Sequence, residues 1–138
     1  MKKFLSIALA LLMVCVMLPV VALAADTLPA AVNGVITMVE DTTLVSDATF
    51  TSGNTTIDLG GKTLTGTINV AYGANVTIKN GKMIGGQVIN VFGTTSGDKT
   101  TLTIESDVEI SAPNGYGVCI FGEGSGASKT GASVVNLN

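Results

Sequence analysis

The stretch Gly60-Gly61-Lys62-Thr63 carries the letters of a phosphate-binding loop, in which glycine amides wrap the phosphates and a lysine reaches the outer ones. That loop requires Gly-x-x-x-x-Gly-Lys-Ser/Thr, but Thr56 occupies the position of the first glycine. The loop must also begin a helix, whereas residues 63–70 alternate and are rich in β-branched side chains. We therefore interpret the stretch as a turn between two strands and not as a nucleotide site.

A second group that could do chemistry is the carboxylate cluster of Glu105, Asp107 and Glu109. Three oxygen donors at one strand corner are the kind of ligand that Ca²⁺ uses, so calcium is the cofactor that this cluster would hold. The alternative is a solvated edge whose charges discourage pairing with foreign strands. In that case Lys79, one repeat away from Glu105, forms only a surface ion pair with it.

The N-terminal residues 1–24 have the composition of a secretory signal peptide. Lys2 and Lys3 form a basic start, an apolar run follows from Phe4, and Ala22-Leu23-Ala24 has the small-x-small form of a signal peptidase site. We predict cleavage after Ala24, which locates the mature protein outside a bacterial cell or on its surface. The alternative is a retained membrane anchor, but the charged flank expected after such an anchor is missing.

The segment after Ala24 is acidic and contains neither arginine nor histidine. Of the seven basic residues in the whole chain two are Lys2 and Lys3, so five remain against ten acidic residues and the net charge becomes −5. This charge argues against nucleic acid or an anionic membrane surface as the partner. Cys119 is the single cysteine of this segment, so it has no intramolecular disulfide partner and is interpreted as an ordinary core or surface residue.

The same segment consists of short runs rich in Val, Ile and Thr, separated by turn residues, and these runs repeat. The clearest repeat is an apolar-polar-apolar triplet, whose apolar residues face one side of a strand and whose polar residue faces the other. It begins at Ile57, Val76, Leu102 and Val135, at intervals of 19, 26 and 33 residues. We predict two inward columns and one outward column: Ile57/Val76/Leu102/Val135, Leu59/Ile78/Ile104/Leu137 and Asp58/Thr77/Thr103/Asn136.

Two further elements recur between the triplets. One is a short apolar strand that closes on an aromatic residue and a glycine, in residues 68–73, 89–93 and 118–122. The other is a weaker strand after each triplet, in residues 62–65, 82–84 and 108–111. Three strands per repeat in a constant order predict a coil of roughly triangular section, and the drift in repeat length predicts functional loops at one corner, in residues 94–99 and 123–131.

The stretch from Ile57 to Gly66 and its echo from Val76 to Gly85 resemble the first coils of right-handed parallel β-helix proteins of the pectin-lyase-like superfamily. The resemblance covers residues 43–138. It implies an all-β fold, a right-handed parallel β-helix (β-solenoid) of about four coils. Residues 25–50 would form the N-terminal cap with its starting strands, and residues 51–138 the coils. It implies little about activity, because the superfamily contains lyases, hydrolases, adhesins and inert surface scaffolds.

The catalytic sets of that superfamily cannot be transferred to this chain. Its pectate lyases use an arginine beside calcium held on aspartates, and its polygalacturonase-like hydrolases use aspartates with a histidine and a basic pair. Arginine and histidine are both absent from this sequence. We therefore expect no catalysis by the residues of this chain. The alternative is the N-terminal part of a polysaccharide lyase or glycoside hydrolase whose active site lies in later coils.

A glycan is the ligand that the predicted fold favours, because a rod of stacked coils presents its corner loops to an extended polymer over several repeats. Four aromatic side chains could stack on sugar rings, Tyr72, Phe92, Tyr116 and Phe121, and the alternative for them is a stack within the coil. The ligand-binding candidates are the aromatic and charged residues of the later strands and loops: Tyr72, Phe92, Asp98, Lys99, Tyr116, Glu123 and Lys129.

Threonine pairs at 49–51, 63–65 and 101–103 suggest ice binding as a further function, since flat threonine ladders order water. We predict no such ladder, because the pairs belong to different strands of the coil, and strand propensity explains the threonine content.

Residues 134–138 read as the first strand of a further coil with no cap after it. An open coil end exposes unpaired backbone groups, so we expect either a longer protein or end-to-end self-association. Together these observations predict a secreted or cell-surface scaffold that is carbohydrate-binding or adhesive.

Overall fold

The computed structural model describes residues 26–93, 99–121 and 133–138, and within them the chain forms parallel sheets and no helix. Strands make up 62 % of the described structure, so the fold class is all-β as predicted. Across these described ranges no helix is long and apolar enough to cross a membrane. The strands are β1 Val35–Thr37, β2 Thr42–Thr43, β3 Ala48–Phe50, β4 Asn54–Thr65, β5 Ile68–Val70, β6 Asn75–Ile84, β7 Gln87–Phe92, β8 Thr100–Ile104, β9 Val108–Ser111, β10 Tyr116–Phe121 and β11 Ser133–Leu137.

The strands pair in parallel and build two sheets. One sheet has the order β1-β4-β6-β8-β11, with β2 paired to β4 and β9 paired to β6. The other has the order β10-β7-β5-β3. Strands β4 and β6 are long because each turns a corner, where the pairing register shifts between Asp58 and Lys62. Each of them therefore has a first half and a second half that pair with different strands.

The pairings divide the strands into three ladders. The first ladder contains β1, the first halves of β4 and β6, β8 and β11. The second ladder contains β2, the second halves of β4 and β6, and β9. The third ladder contains β3, β5, β7 and β10. The chain visits the three ladders in this order on every circuit, beginning with β1, β2 and β3 in the segment predicted as the cap.

The space between the ladders is filled by aliphatic side chains. Alternation directs every second residue inward, and burying one such side chain contributes about 1.5–3 kcal/mol. Leu28 packs against the first end of this core. The largest fully buried side chains are Ile57, Leu59, Leu64, Ile68, Val70, Val76, Ile78, Met83, Val88, Ile89, Val91 and Leu102.

The predicted stacking of the first two triplets is wrong by two residues. Ile57 lies opposite Ile78 and not opposite Val76, whose partner is Thr55. Likewise Asp58 lies opposite Lys79 and not opposite Thr77. A shift of two residues leaves the inward and outward faces of a strand unchanged, so alternation alone cannot detect it. The true columns are Ile36/Ile57/Ile78/Ile104/Leu137 and Thr55/Val76/Leu102/Val135.

The later stacking and the other two recurring elements are confirmed. Val76 lies opposite Leu102, and Leu102 lies opposite Val135, as predicted. In the third ladder Ile68, Ile89 and Val118 share one column. The weaker strands of residues 62–65, 82–84 and 108–111 pair with one another in the second ladder.

The Gly60-Gly61-Lys62-Thr63 stretch is the corner of β4, as the sequence predicts. Gly60 and Gly61 have φ angles of 60° and 73°, which side chains other than glycine or asparagine rarely adopt. A Cβ atom at Gly60 would also lie 2.5 Å from the Met38 carbonyl oxygen. The amides of Gly60 and Thr63 donate to the carboxylates of Asp58 and Asp41, at 3.0 and 2.8 Å. These amides are therefore already bonded to anions of the same chain.

Candidate binding faces

The outer face of the first ladder presents polar side chains in regular columns. One column contains Thr56, Thr77, Thr103 and Asn136, because these residues lie opposite one another in β4, β6, β8 and β11. Beside it run a column of Asn54, Asn75 and Thr101 and a column of Asp58, Lys79, Glu105 and Asn138. We call these eleven side chains the polar array. Of these residues the sequence singles out only Glu105, as a candidate calcium ligand, and none of the others was predicted as a site.

Hydrogen bonds between neighbouring strands of the ladder hold the polar array in place. Each strand of a ladder is called a rung below. The amide of Asn75 donates to Asn54 at 3.0 Å, and that of Asn136 donates to Thr103 at 3.3 Å. In the third column Lys79 forms an ion pair with Asp58 at 3.1 Å. Glu105 lies in the strand next to Lys79, as the sequence predicts, but the ion pair of Lys79 forms with Asp58 on the other side. Adjacent rungs thus fix one another's side chains before any ligand arrives.

The carboxylate of Asp58 is the most strongly bonded group of the array. The backbone amide of Gly60 lowers the pKa of Asp58, and the Lys79 ammonium and the Asn80 side chain lower it further, while partial burial opposes them. The Asn80 amide donates to Asp58 at 3.1 Å. Each of these contacts favours the ionised carboxylate, so Asp58 is a fixed negative charge of the face.

The outer face of the third ladder carries an aromatic pair. The rings of Phe92 and Phe121 stack with centroids 5.1 Å apart and planes at 15°. Both follow inward residues, Val91 and Ile120, so alternation directs the two rings outward. Phe121 is 40 % exposed. The predicted candidate Phe92 is therefore part of a surface stack with Phe121, which the sequence also offers as a ring for sugar stacking.

The two tyrosine candidates lie at opposite ends of this ladder. Tyr72 follows the end of β5 with a φ angle of 53° and is 61 % exposed. Because β5, β7 and β10 are neighbours, Tyr72 lies at the same end of the sheet as Phe92 and Phe121. Tyr116 begins β10 and is about 16 Å from Phe121 along the strand. Tyr72 and the aromatic pair thus share one end of the sheet, whereas Tyr116 is remote from the pair.

A column of amides lies beside the aromatic pair. Asn90 donates to Asn69 at 3.0 Å, and Asn69 donates to Asp47 at 3.2 Å. The next rung holds Cys119 in place of a third asparagine. Asn90 is only 6 % exposed, and its side-chain oxygen is buried without a hydrogen-bond partner. Since the nitrogen of this amide is directed to Asn69, its oxygen is directed to the rung of Cys119.

The predicted calcium ligands each have a different partner. Asp107 accepts from the Asn80 backbone amide at 2.9 Å, Glu109 forms an ion pair with Lys82, and Glu105 accepts from Asn138 at 3.3 Å. Within the described ranges no group of three or more His, Cys, Asp or Glu side chains could hold a metal ion. The three carboxylates are therefore each engaged by a different group of the chain.

The remaining candidates belong to the two loops. Lys99 is exposed and directly precedes β8. Asp98, Glu123 and Lys129 lie outside the described residues, as does most of both loops. Among the described residues of the predicted set, Phe92 and Tyr72 lie at the same end of the third ladder, and the Gly73 amide beside Tyr72 donates to Thr100, the neighbour of Lys99, at 3.0 Å.

The residues that sequence reasoning missed share one signal. Four of them are strand asparagines in outward positions, and strands generally avoid asparagine. Asn54 lies opposite Asn75, and Asn69 lies opposite Asn90. An asparagine recurring once per circuit therefore indicates a ladder of side-chain amides, and this could have been read from the sequence.

Comparisons with known proteins give no relative for this chain. No protein family, curated protein or solved structure matches it. The function is therefore inferred from the outer faces of the first and third ladders.

Proposed function

We propose that this chain is a secreted, right-handed parallel β-helix that serves as a non-catalytic, carbohydrate-binding scaffold outside the cell. The constant order in which the chain visits its three ladders supports the β-helix, because each circuit then adds one coil of about the same section. The N-terminal basic and apolar segment with its small-x-small site supports secretion.

The observation that carries the binding function is the outward aromatic pair of Phe92 and Phe121. An exposed aromatic ring offers a flat face to the C–H side of a sugar ring, and a polar neighbour can hydrogen-bond the hydroxyl groups at its edge. Tyr72, at the same end of the ladder, provides a second exposed ring with a hydroxyl group. A stacked pair is also more rigid than a single ring, so less side-chain entropy is lost on binding.

The non-catalytic part of the proposal rests on composition. Arginine and histidine are absent, so neither a superfamily-type proton abstraction nor a histidine-assisted hydrolysis has its residues. The competing function is the N-terminal part of a polysaccharide lyase or glycoside hydrolase. Product formation distinguishes the two.

The test is calorimetric titration of the full chain with neutral and acidic polysaccharides, with and without calcium, while the release of unsaturated or reducing products is followed in parallel. We expect saturable binding without products. The variant Phe121→Leu keeps the apolar bulk and removes the ring, so it should weaken binding about tenfold. Tyr116→Ala, which removes an exposed aromatic residue far from the pair, is the matched control and should bind normally.

Three results would overturn the proposal in different ways. Product release would show an enzyme and end the scaffold interpretation. Binding that Phe121→Leu leaves unchanged would remove the aromatic pair from the site. No binding to any polysaccharide would contradict the carbohydrate function itself. Secretion is tested separately, since the N-terminal sequence of the exported protein should begin at Ala25.

A further inference from the structure

We propose that the polar array of the first ladder is a second binding site, which takes a neutral linear polysaccharide lying across the strands. This inference deepens the proposed function and rests on it, but it concerns a different face from the aromatic pair. Its basis is the juxtaposition of Asn54, Asn75 and Thr101 beside Thr56, Thr77 and Thr103.

The array has the dimensions of an extended sugar chain. Successive rungs of a parallel sheet are about 4.8 Å apart, and alternate residues of one strand are about 6.6 Å apart. A rung spacing is close to the advance of one sugar unit in an extended pyranose chain. The polar array has residues on four strands of the first ladder, β4, β6, β8 and β11, so it is roughly 14 Å long across the strands. A polymer along the Thr56 column meets a threonine or an asparagine on each of these four strands.

The chemistry of the columns fits hydroxyl groups. A sugar hydroxyl both donates and accepts, and the side chains of asparagine and threonine do the same. Asn54, Thr56, Asn75 and Thr77 form a two-by-two block of such groups on adjacent rungs, all of them at least partly exposed. Because Asn75 is bonded to Asn54, the amide orientations are set before binding. A preordered face loses less entropy when a ligand is immobilised on it.

Charge excludes acidic polymers from this face. In the third column the Lys79 charge is compensated by Asp58, which leaves the carboxylate of Glu105. The segment after Ala24 also carries a net charge of −5, so a uronate polymer would be repelled as it approaches. A neutral polysaccharide meets no such barrier, and the remaining carboxylate oxygens accept hydrogen bonds from its hydroxyl groups.

The same charges favour a sugar over ice. The threonine pairs at 49–51, 63–65 and 101–103 do lie in different ladders, as the sequence predicts, but Thr101 and Thr103 stack on Asn75 and Thr77. That arrangement is flat and repetitive, which an ice-binding face also requires. However, the ammonium of Lys79 is strongly hydrated and holds its own water shell, which does not match a neutral lattice of water.

The experiment compares two double variants of the full chain. The array variant is Thr56→Val with Thr77→Val, which removes two outward hydroxyl groups and keeps two good strand formers. The control is Thr63→Val with Thr65→Val, which makes the same chemical change in the second ladder, on the second half of β4. Thermal unfolding of both variants and of the wild type verifies that all three are folded.

The probes are β-1,4-linked glucan oligosaccharides of two to six units, a soluble neutral mannan and polygalacturonate. We expect at least one neutral polymer to bind, with an affinity that rises with chain length up to about four units, the length of the face. The array variant should weaken this binding about tenfold or more, and the control should change it less than about twofold. Polygalacturonate should not bind.

The outcomes separate this inference from the proposed function. If neutral polymers bind and only Phe121→Leu weakens them, the scaffold function holds and the polar array is not a site. Equal losses in the array and control variants would also overturn the inference. Preference for polygalacturonate would contradict the charge argument, and inhibition of ice growth that the array variant abolishes would replace the glycan by ice. No binding of any polysaccharide ends both proposals together.

Discussion

The middle and last rungs of the first ladder use the same alternation but bury their side chains to very different extents. Ile78 and Leu102, with a rung on each side, are fully buried. Val135 is half-buried, and Leu137 is 74 % exposed although it lies directly opposite Ile104. In a stack, alternation decides where a side chain points, and neighbours on both sides decide how much apolar surface leaves water.

The third ladder shows the same contrast. Val91 is fully buried, while Ile120, its partner in the next rung, is 60 % exposed. Beside the last strands of the three ladders lies an open groove of about 400 Å³. It is lined by residues such as Ile110, Val118 and Leu137. The apolar side chains of β10 and β11 thus face a groove where those of β4 and β6 face a packed core.

The largest difference is expected when one buried and one exposed residue of the same column are truncated. Ile78→Ala leaves a cavity in the packed core and should lower the free energy of unfolding by about 3–5 kcal/mol. Leu137→Ala removes a largely exposed side chain and should lower it by less than about 1 kcal/mol. Urea unfolding of both variants measures the difference. Similar losses would contradict the view that burial depends on the rungs at both sides.

A smaller effect is expected where the amide column of the third ladder is interrupted. In Cys119→Asn the new amide can donate to the orphaned oxygen of Asn90, so unfolding should become harder by about 1 kcal/mol. Cys119→Val is the control, because it keeps a strand-forming side chain and adds no donor. The free energies of unfolding of the two variants decide the point. If valine stabilises the protein as much as asparagine does, the missing hydrogen bond is not the cause.

The smallest effect concerns the middle rungs of the polar array. The pKa of Asp58 in the folded protein is lowered, chiefly by the Gly60 amide, so the carboxylate is more acidic than in the unfolded chain. Its contribution to stability is therefore complete above the ordinary pKa of about 3.9 and is lost as the pH falls through the lower folded value. In the variant Asp58→Asn, the part of the stability loss at acid pH that comes from protonation of Asp58 should be absent. Stability curves of the two proteins that stay parallel below pH 4 would show that Asp58 contributes nothing.

Much of the fold follows from local pattern. The all-β class, the corner at Gly60-Gly61 and the pairing of the Phe-Gly strands are predicted correctly, because alternation and glycine punctuation are local consequences of strand and turn geometry. The aromatic and glycine residues at the ends of β7 and β10 mark the register directly, so Phe92 and Phe121 could be aligned without coordinates.

The candidate sites were predicted less well. The sequence singles out aromatic residues and carboxylates by their type, and it assigns Tyr72, Phe92 and Tyr116 to one class although the last is remote from the other two. The polar array was overlooked because Thr56 and Thr77 were not aligned. Each is an ordinary strand residue, and it becomes a candidate ligand contact only through its neighbours in the adjacent rungs.

Strands, their inward faces and the corners can be predicted without the fold, since all three depend on residues close together in the chain. That Ile57 lies opposite Ile78 and Asp58 opposite Lys79 becomes visible only in the folded protein. The physical reason is the period of two in a strand: a slip of two residues keeps every apolar side chain inward, so the two registers differ only in their long-range neighbours. Those neighbours create both the packed rungs and the polar array.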